Sequence, residues 1–319
     1  MMTLAEIRLK QNPILTSLLL GMGQGTFIAE KLFPRLPQSL RGVTLAKLGD
    51  ERFRRYNLRR APGTATKRVD IKYEGQTYTV DQYSVEVPLP RELLQEAEQS
   101  ARLNVGAHLD VSRLAMTTAS DILALDYEQE AARMAIDPTG YASGHVNALS
   151  GGAKWSASTG NPVADLASAA NIVRKKIGKR PNLLMLSPDA LWAVQSNPAV
   201  KSALPNSTQT GPATIEQLKV VFNVKDLVVG DAIALDNAGL GQDVWGNNAA
   251  LLYAPALSGT GDLSLAEPAF GFTNVLEGHP FAETPYYDPA LKSWIYGATY
   301  ERRASIAYST AGFLFQNPA

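Results

Sequence analysis

From Asp110 to Ala135 the chain runs without a glycine or a proline, and Val111, Leu114, Ala115, Ile122, Leu125 and Met134 recur at three- and four-residue spacing. That period belongs to a single long helix with an apolar stripe. At ~1.5 Å per residue it is roughly 39 Å long, at least the width of a small domain. Asp137-Pro138-Thr139-Gly140 ends it, and the Gly- and Ser-rich sequence up to Gly160 is expected to be a loop. The rest of the fold has to be arranged along this rod.

The 319 residues, 45% hydrophobic and 19% charged, suffice for one large or two medium domains with a sizeable core. Before the rod, residues 1–50 mix short apolar clusters with Pro13, Pro34 and Pro37 and show no sustained period. They are expected to form an extended arm ordered by packing on something else. After it, residues 161–255 alternate helices with short strands. Asn161-Pro162 opens a helix running to about Ile177, and Ser187-Pro188 opens another in the same way. Thr214 with Gln217 forms a capping box for a third. Leu183–Leu186, Val224–Val229 and Ala249–Tyr253 are the strands between them, and Tyr- and Phe-rich antiparallel strands follow from Pro268 to Gln316.

Residues 66–80 carry a hairpin signal. Thr66–Tyr73 and Gln76–Val80 are rich in β-branched and aromatic residues and are separated by Glu74-Gly75. A two-residue turn there sets Ile71 opposite Tyr78 and Val69 opposite Val80, with Arg68 opposite Asp81 on the polar face. Past Gln82 the apolar parity passes to Tyr83, Val85 and Val87, so a bulge or a change of surroundings is expected nearby.

Residues that carry chemistry are sparse. Cysteine is absent, which excludes disulfides, thiolate metal sites and cysteine nucleophiles. The Gly21-Met22-Gly23-Gln24-Gly25 run lacks the spacing of a nucleotide loop and reads as a flexible joint, and Gly151-Gly152-Ala153-Lys154 reads as plain loop. His108, His145 and His279 lie far apart, without metal-ligand spacing, and are expected on the surface or in loops. Asp126, Glu128 and Glu130 cluster on the long helix, where a solvated face is the expectation. No catalytic, cofactor or metal site is assigned, and the chain is not read as an enzyme. The apolar stretch Ile14–Leu20 is too short to span a bilayer, so no membrane is expected.

Charge is balanced, 30 basic against 30 acidic residues, which argues against a dedicated nucleic-acid-binding domain. One segment breaks the balance. Arg52, Arg54, Arg55, Arg59, Arg60, Lys67 and Arg68 fall within seventeen positions that hold no acidic residue. Docking against acidic surface of a neighbouring subunit and a solvated loop are equally good readings, with contact to packaged nucleic acid third.

The run Arg60-Ala61-Pro62-Gly63-Thr64-Ala65-Thr66-Lys67-Arg68, the hairpin, and Val85-Glu86-Val87-Pro88-Leu89-Pro90-Arg91-Glu92 resemble the extended loop of a tailed-bacteriophage major capsid protein of the Hong Kong 97 type. The long helix lies where that family's spine helix would follow. Ile177-Gly178-Lys179-Arg180-Pro181-Asn182 with Ser187-Pro188-Asp189 resembles its axial domain, and Trp294-Ile295-Tyr296-Gly297 with Glu301-Arg302-Arg303 its closing strands. The layout covers residues 45–319, and no single motif in it is diagnostic.

The resemblance implies an α+β fold: an N-terminal arm (1–50), an extended loop (51–90), a peripheral domain with the spine helix (91–160), an axial αβ domain (161–260) and peripheral return strands (261–319). It implies a subunit that assembles with itself into pentamers and hexamers of an icosahedral shell around double-stranded DNA, built in the host cytoplasm and ending in the virion. Arg59, Arg60, Lys67, Arg68, Val69, Ile71, Tyr73, Tyr78 and Val80 are then the intersubunit contacts of the loop. A separate scaffolding protein is the implied arrangement, because no long charged block precedes the arm, with a portal and a decoration protein as further candidate partners. Lys67 and Lys72 lie in the loop, but covalent crosslinking is not carried over. Two alternatives stand beside this: an encapsulin-type compartment shell, and a soluble hydrolase on the 161–255 αβ module.

Overall fold

The computed structural model describes residues 27–48, 55–63, 65–66, 68–70, 73–103, 110–204, 211–255 and 268–319. The Gly21–Gly25 joint, His108, Lys67 and Ile71 lie outside them. In chain order, α1 (Ala29–Leu32) leads to β1 (Arg35–Gln38) and β2 (Gly42–Leu48). After the loop come β3 (Tyr73–Thr79), β4 (Asp81–Pro90), α2 (Arg91–Leu103) and the long α3 (Val111–Ile136). Then follow β5 (Val146–Ala148), α4 (Pro162–Ile177), β6 (Leu183–Leu186), α5 (Pro188–Ser196), α6 (Pro198–Ala203), α7 (Ile215–Phe222) and β7 (Asp226–Val229). The chain closes through β8 (Ile233–Leu235), β9 (Gly241–Asp243), β10 (Asn248–Leu252), β11 (Gly271–Leu276), β12 (Phe281–Ala282), β13 (Tyr286–Asp288), β14 (Ser293–Ile306) and β15 (Gly312–Gln316).

The locally coded elements form as their signals predict. Asp110 caps α3 by accepting from the Arg113 N–H at 3.0 Å. Asn161, Ser187 and Thr214 cap α4, α5 and α7, and both halves of the Thr214–Gln217 box are made. Gly178, with φ of 74°, closes α4 in the left-handed conformation that only glycine adopts without cost.

Two sheets organise the rest. A six-stranded sheet is centred on β14, flanked by β4 on one side and by β11, β12 and β13 on the other, with β1 parallel to β11. The rod α3 lies on this sheet, burying Ala115, Met116, Ala119 and Leu123 against Leu89, Tyr296, Ala298 and Tyr300. The buried stripe therefore differs from the expected one: Leu114 and Ile122 are 52% and 48% exposed. Small side chains let the helix backbone approach the tyrosine-bearing sheet closely, so alanines take the inner face and bulkier residues one position away are left outside.

The second sheet has the order β5-β15-β10-β6-β7 and is packed by α4, α5 and α7 around Leu184, Met185, Leu186, Ala250 and Leu251. Its membership departs from the expected layout. The closing strand β15, expected among the peripheral return strands, pairs antiparallel with β10 and parallel with β5, so both ends of the central region belong to the αβ sheet. The Gly/Ser loop before α4 is held by a buried residue: Trp155 donates through Nε1 to Asp165 at 2.9 Å, and its carbonyl accepts from Asn197 at 2.8 Å.

The hairpin expected around Glu74-Gly75 does not form. Residues 73–79 are one continuous strand, β3, and its partner is β2, with Val43 opposite Tyr78 and Ala46 opposite Gly75. Residues 65–66 and 68–70 carry no strand. Glu-Gly lacks the turn chemistry of Asn-Gly or Asp-Gly, while Gly42–Leu48 offers Val, Thr and Leu for pairing. Residues 42–48 therefore leave the arm and become the first strand of the extended loop. The arm's described remainder is core: Ala29, Leu32 and Phe33 are buried, and β1 lies in the large sheet. The change of surroundings expected near Gln82 does occur, two residues earlier, at residue 80. There the chain leaves the two-stranded ladder and enters β4, whose Tyr83, Val85, Val87 and Leu89 turn inward.

Candidate assembly surface

The extended loop stands on a fixed base. Arg41, just before β2, makes a two-pronged contact with Glu301 of β14, Nε to Oε2 at 2.9 Å and Nη2 to Oε1 at 2.6 Å. The Arg41 carbonyl accepts from the Val80 N–H at 3.0 Å, which closes the ladder at its root. Arg303 donates to Thr79 at 3.1 Å and lies 3.6 Å from Asp81, so the second strand is held to β14 as well. Glu301 is nearly buried, and its N–H donates to Nδ1 of His279 at 3.1 Å. Burial holds the His279 imidazole below its ordinary pKa, with the Glu301 carboxylate opposing. His145 and His279 both lie in loops, as expected; His145 is buried, its Nδ1 2.8 Å from the Gly312 carbonyl, and the His279 side chain is largely covered.

Beyond the base, several described side chains of the connecting segment point to solvent. Arg55, Arg59, Arg60, Arg68 and Val69 are exposed, as is Leu58. Arg60 reaches back to Thr66 at 3.0 Å. Among the other predicted contacts Val80 is half-buried, and Tyr78 is buried within its own subunit, where it cannot serve a neighbour. Tyr73 is in β3, paired with Leu48.

The carboxylates on the rod are not a solvated face. Glu128 is fully buried and accepts from the backbone N–H groups of Ile28 at 3.0 Å and Ala29 at 2.8 Å, and from Trp245 Nε1 at 2.7 Å. It ties the start of the described chain to the rod and to the αβ half. Desolvation pushes its pKa above the usual carboxylate range, against the pull of those donors. Asp126 and Glu130 both bind Arg302 of β14, Asp126 at 2.6 Å. The Arg302 guanidinium is buried among three tyrosines, 4.2 Å from the Tyr83 ring centroid, 4.8 Å from Tyr127 and 5.3 Å from Tyr300. Desolvation lowers its pKa, and Asp126 opposes the shift. The signal available in sequence was the two-residue register of Arg302 with Tyr296, Ala298, Tyr300 and Ala304, which puts an arginine on the apolar face of β14, where it calls for a carboxylate partner.

An open pocket lined by Glu30, Lys31, Asn182, Lys225 and Asp226 brings opposite charges together without a nucleophile and base in contact. Among the described residues no group of three His, Asp or Glu side chains is placed to hold a metal, and no helix is long and apolar enough to cross a membrane.

No family model matches the chain. Curated relatives do. The chain is 29% identical over 282 residues to the major capsid protein of Burkholderia phage BcepMu, covering 88% of each, and 24% identical over 267 residues to that of Pseudomonas phage JBD67, covering 78% and 79%. A solved phage-related protein of Bordetella bronchiseptica is 36% identical, with a TM-score of 0.78 and 97% of both chains covered. Taken together, these relatives support a phage major capsid protein. As a major capsid protein it is a shell-forming component of the virion. More distant structures share the mixed α+β fold alone: the capsid protein of cyanophage P-SCSP1u, at 13% identity and TM-score 0.57 over 91% of this chain and 88% of that one, and the SrpI encapsulin of Synechococcus elongatus, at 13% and 0.53 over 99% and 95%.

Proposed function

We propose that the capsid protein is a Hong Kong 97-type subunit whose extended loop is its principal assembly element, and that its work is self-association, not catalysis. Residues 1–50 lead into the subunit, 51–90 carry the loop, 91–160 and 261–319 form the peripheral domain and 161–260 the axial domain, the ladder drawing its first strand from 42–48 and the axial sheet adding β5 and β15. The observation that carries this reading is the ladder itself. A two-stranded element, rooted on β14 through Arg41 and Arg303, carries between its strands a segment in which Arg55, Leu58, Arg59, Arg60, Arg68 and Val69 are exposed. Isolated two-stranded hairpins are marginal in water, so its exposed surface is meant for a partner. Repeating such a contact between copies produces rings and closed shells. Pentamers and hexamers around double-stranded DNA, with a separate scaffolding protein and a portal, complete the proposal. The loop contacts are Arg59, Arg60, Lys67, Arg68, Val69 and Ile71. An encapsulin-type shell has the same fold to recommend it, but the relatives of higher identity are phage capsid proteins.

The test replaces residues 55–70 by a short Gly/Ser linker. Far-UV circular dichroism should remain that of the parent, because both sheets and α3 keep their contacts, while sedimentation should show no closed particles. Normal shells from the shortened chain would refute the loop's role.

A further inference from the structure

The arginine loop has a complement elsewhere on the same chain. Arg55, Arg59, Arg60 and Arg68 are exposed, and no acidic residue stands between positions 55 and 69. Helix α2 is opposite in sign, with Glu92, Glu96 and Glu98 all exposed. Glu92 and Glu96, four residues apart, share one side of the helix. Glu92 is 3.0 Å from Arg91, an exposed pair of the kind that contributes little and exchanges readily. Open aromatic rings lie beside the first turn of α2: Tyr287 and Trp294 are 38% and 39% exposed and meet edge to face with centroids 5.8 Å apart. Trp294 is paired across the sheet with Leu89, two residues before α2 begins, and Tyr287 lies near the Arg91 side chain.

Carboxylates next to open ring faces suit guanidinium better than ammonium, because arginine binds carboxylates two-pronged and stacks on aromatic rings. The segment that needs such a surface is arginine-rich. Among the described residues no ion pair joins the loop to α2 within one subunit. The two elements thus carry opposite charge without meeting within one subunit, and since the chain is neutral overall, a second copy can supply both signs at once, the exposed Arg91–Glu92 pair exchanging for an intersubunit one.

We infer that the arginine loop of one copy docks on the face of a second copy formed by Glu92 and Glu96 with Tyr287 and Trp294. The inference rests on the assembly role proposed for the loop and names the surface that receives it.

A charge swap in the full chain tests it. Arg59→Glu with Arg60→Glu is one variant, Glu92→Arg with Glu96→Arg a second, and the four changes together a third. Closed particles are counted by negative-stain microscopy, with circular dichroism as the check on folding. Each reversal alone should cut particle yield by ~10-fold or more, as like-charge contacts at a repeated interface do, and the fourfold variant should recover most of it. If a reversal unfolds the subunit, Arg59→Gln with Arg60→Gln and Glu92→Gln with Glu96→Gln replace it, each expected to lower yield. Full yield from both single reversals, or no recovery in the fourfold variant, would overturn this docking face. If the linker-replaced chain fails to close shells while both reversals close them, the loop's role stands and the receiving surface named here is wrong.

Discussion

Glu128 and Arg302 are the two charges that the subunit holds deepest, and they behave differently. Glu128 has a pKa raised by burial, so the folded chain holds that proton more tightly than the unfolded chain. Its stabilising share is present below the ordinary carboxylate pKa and is lost as pH rises through the raised folded value. A Glu128→Gln chain lacks this titration. Denaturant unfolding of the two chains from pH 4 to 7 should therefore show the stability difference moving toward the glutamine variant as pH rises, and a difference that moves the other way would contradict the burial argument. Arg302→Ala leaves Asp126 and Glu130 facing each other over an emptied site among three tyrosines. Asp126 is half exposed and can turn to water, so the loss is of the buried guanidinium and its packing, about 1–3 kcal/mol, read as a fall in unfolding midpoint of the unassembled subunit. Neither role was legible in the sequence. Three carboxylates on a helix look like a solvated face until the strand bearing Arg302 and the chain at Ile28 are laid against them, and both lie far away in sequence.

At the level of elements, what is coded locally was read well and what depends on distant pairing was not. The caps at Asp110, Asn161, Ser187 and Thr214 are short-range hydrogen bonds, and the helices begin where those residues stand. The ladder partner of β3 was missed because Gly42–Leu48 is separated from it by the whole loop. The inner face of α3 was misjudged for a related reason, since periodicity marks an apolar stripe without saying whether alanine or leucine meets the sheet. Two substitutions separate the faces. Ala119→Leu should cost about 1–3 kcal/mol by overpacking against the tyrosines. Leu114→Gln, on the outer face, should stay within about 0.5 kcal/mol in the unassembled subunit. Equal costs in thermal or urea unfolding would mean that the rod is seated differently.

For the whole molecule, the αβ sheet and the β14-centred sheet share one continuous chain path. Phe270 links them, stacked on Tyr141 with centroids 4.9 Å apart and 5.9 Å from Phe33, and bonded by its N–H to the Tyr253 carbonyl. The mixed α+β character, the long rod and the alternation of helices and strands after residue 161 were legible because each has its own composition. The strand exchange that places β15 in the αβ sheet was not, because a five-residue apolar strand carries no mark of its partner. What the subunit cannot do alone is cover the arginine loop, α2 and the Tyr287–Trp294 face, and the account holds that other copies do so. Analytical sedimentation of the full-length protein with negative-stain microscopy of the same sample tests this most directly. The account predicts closed shells, or rings of subunits, far heavier than the 34.4 kDa chain. A single species at the monomer mass across concentrations would contradict it.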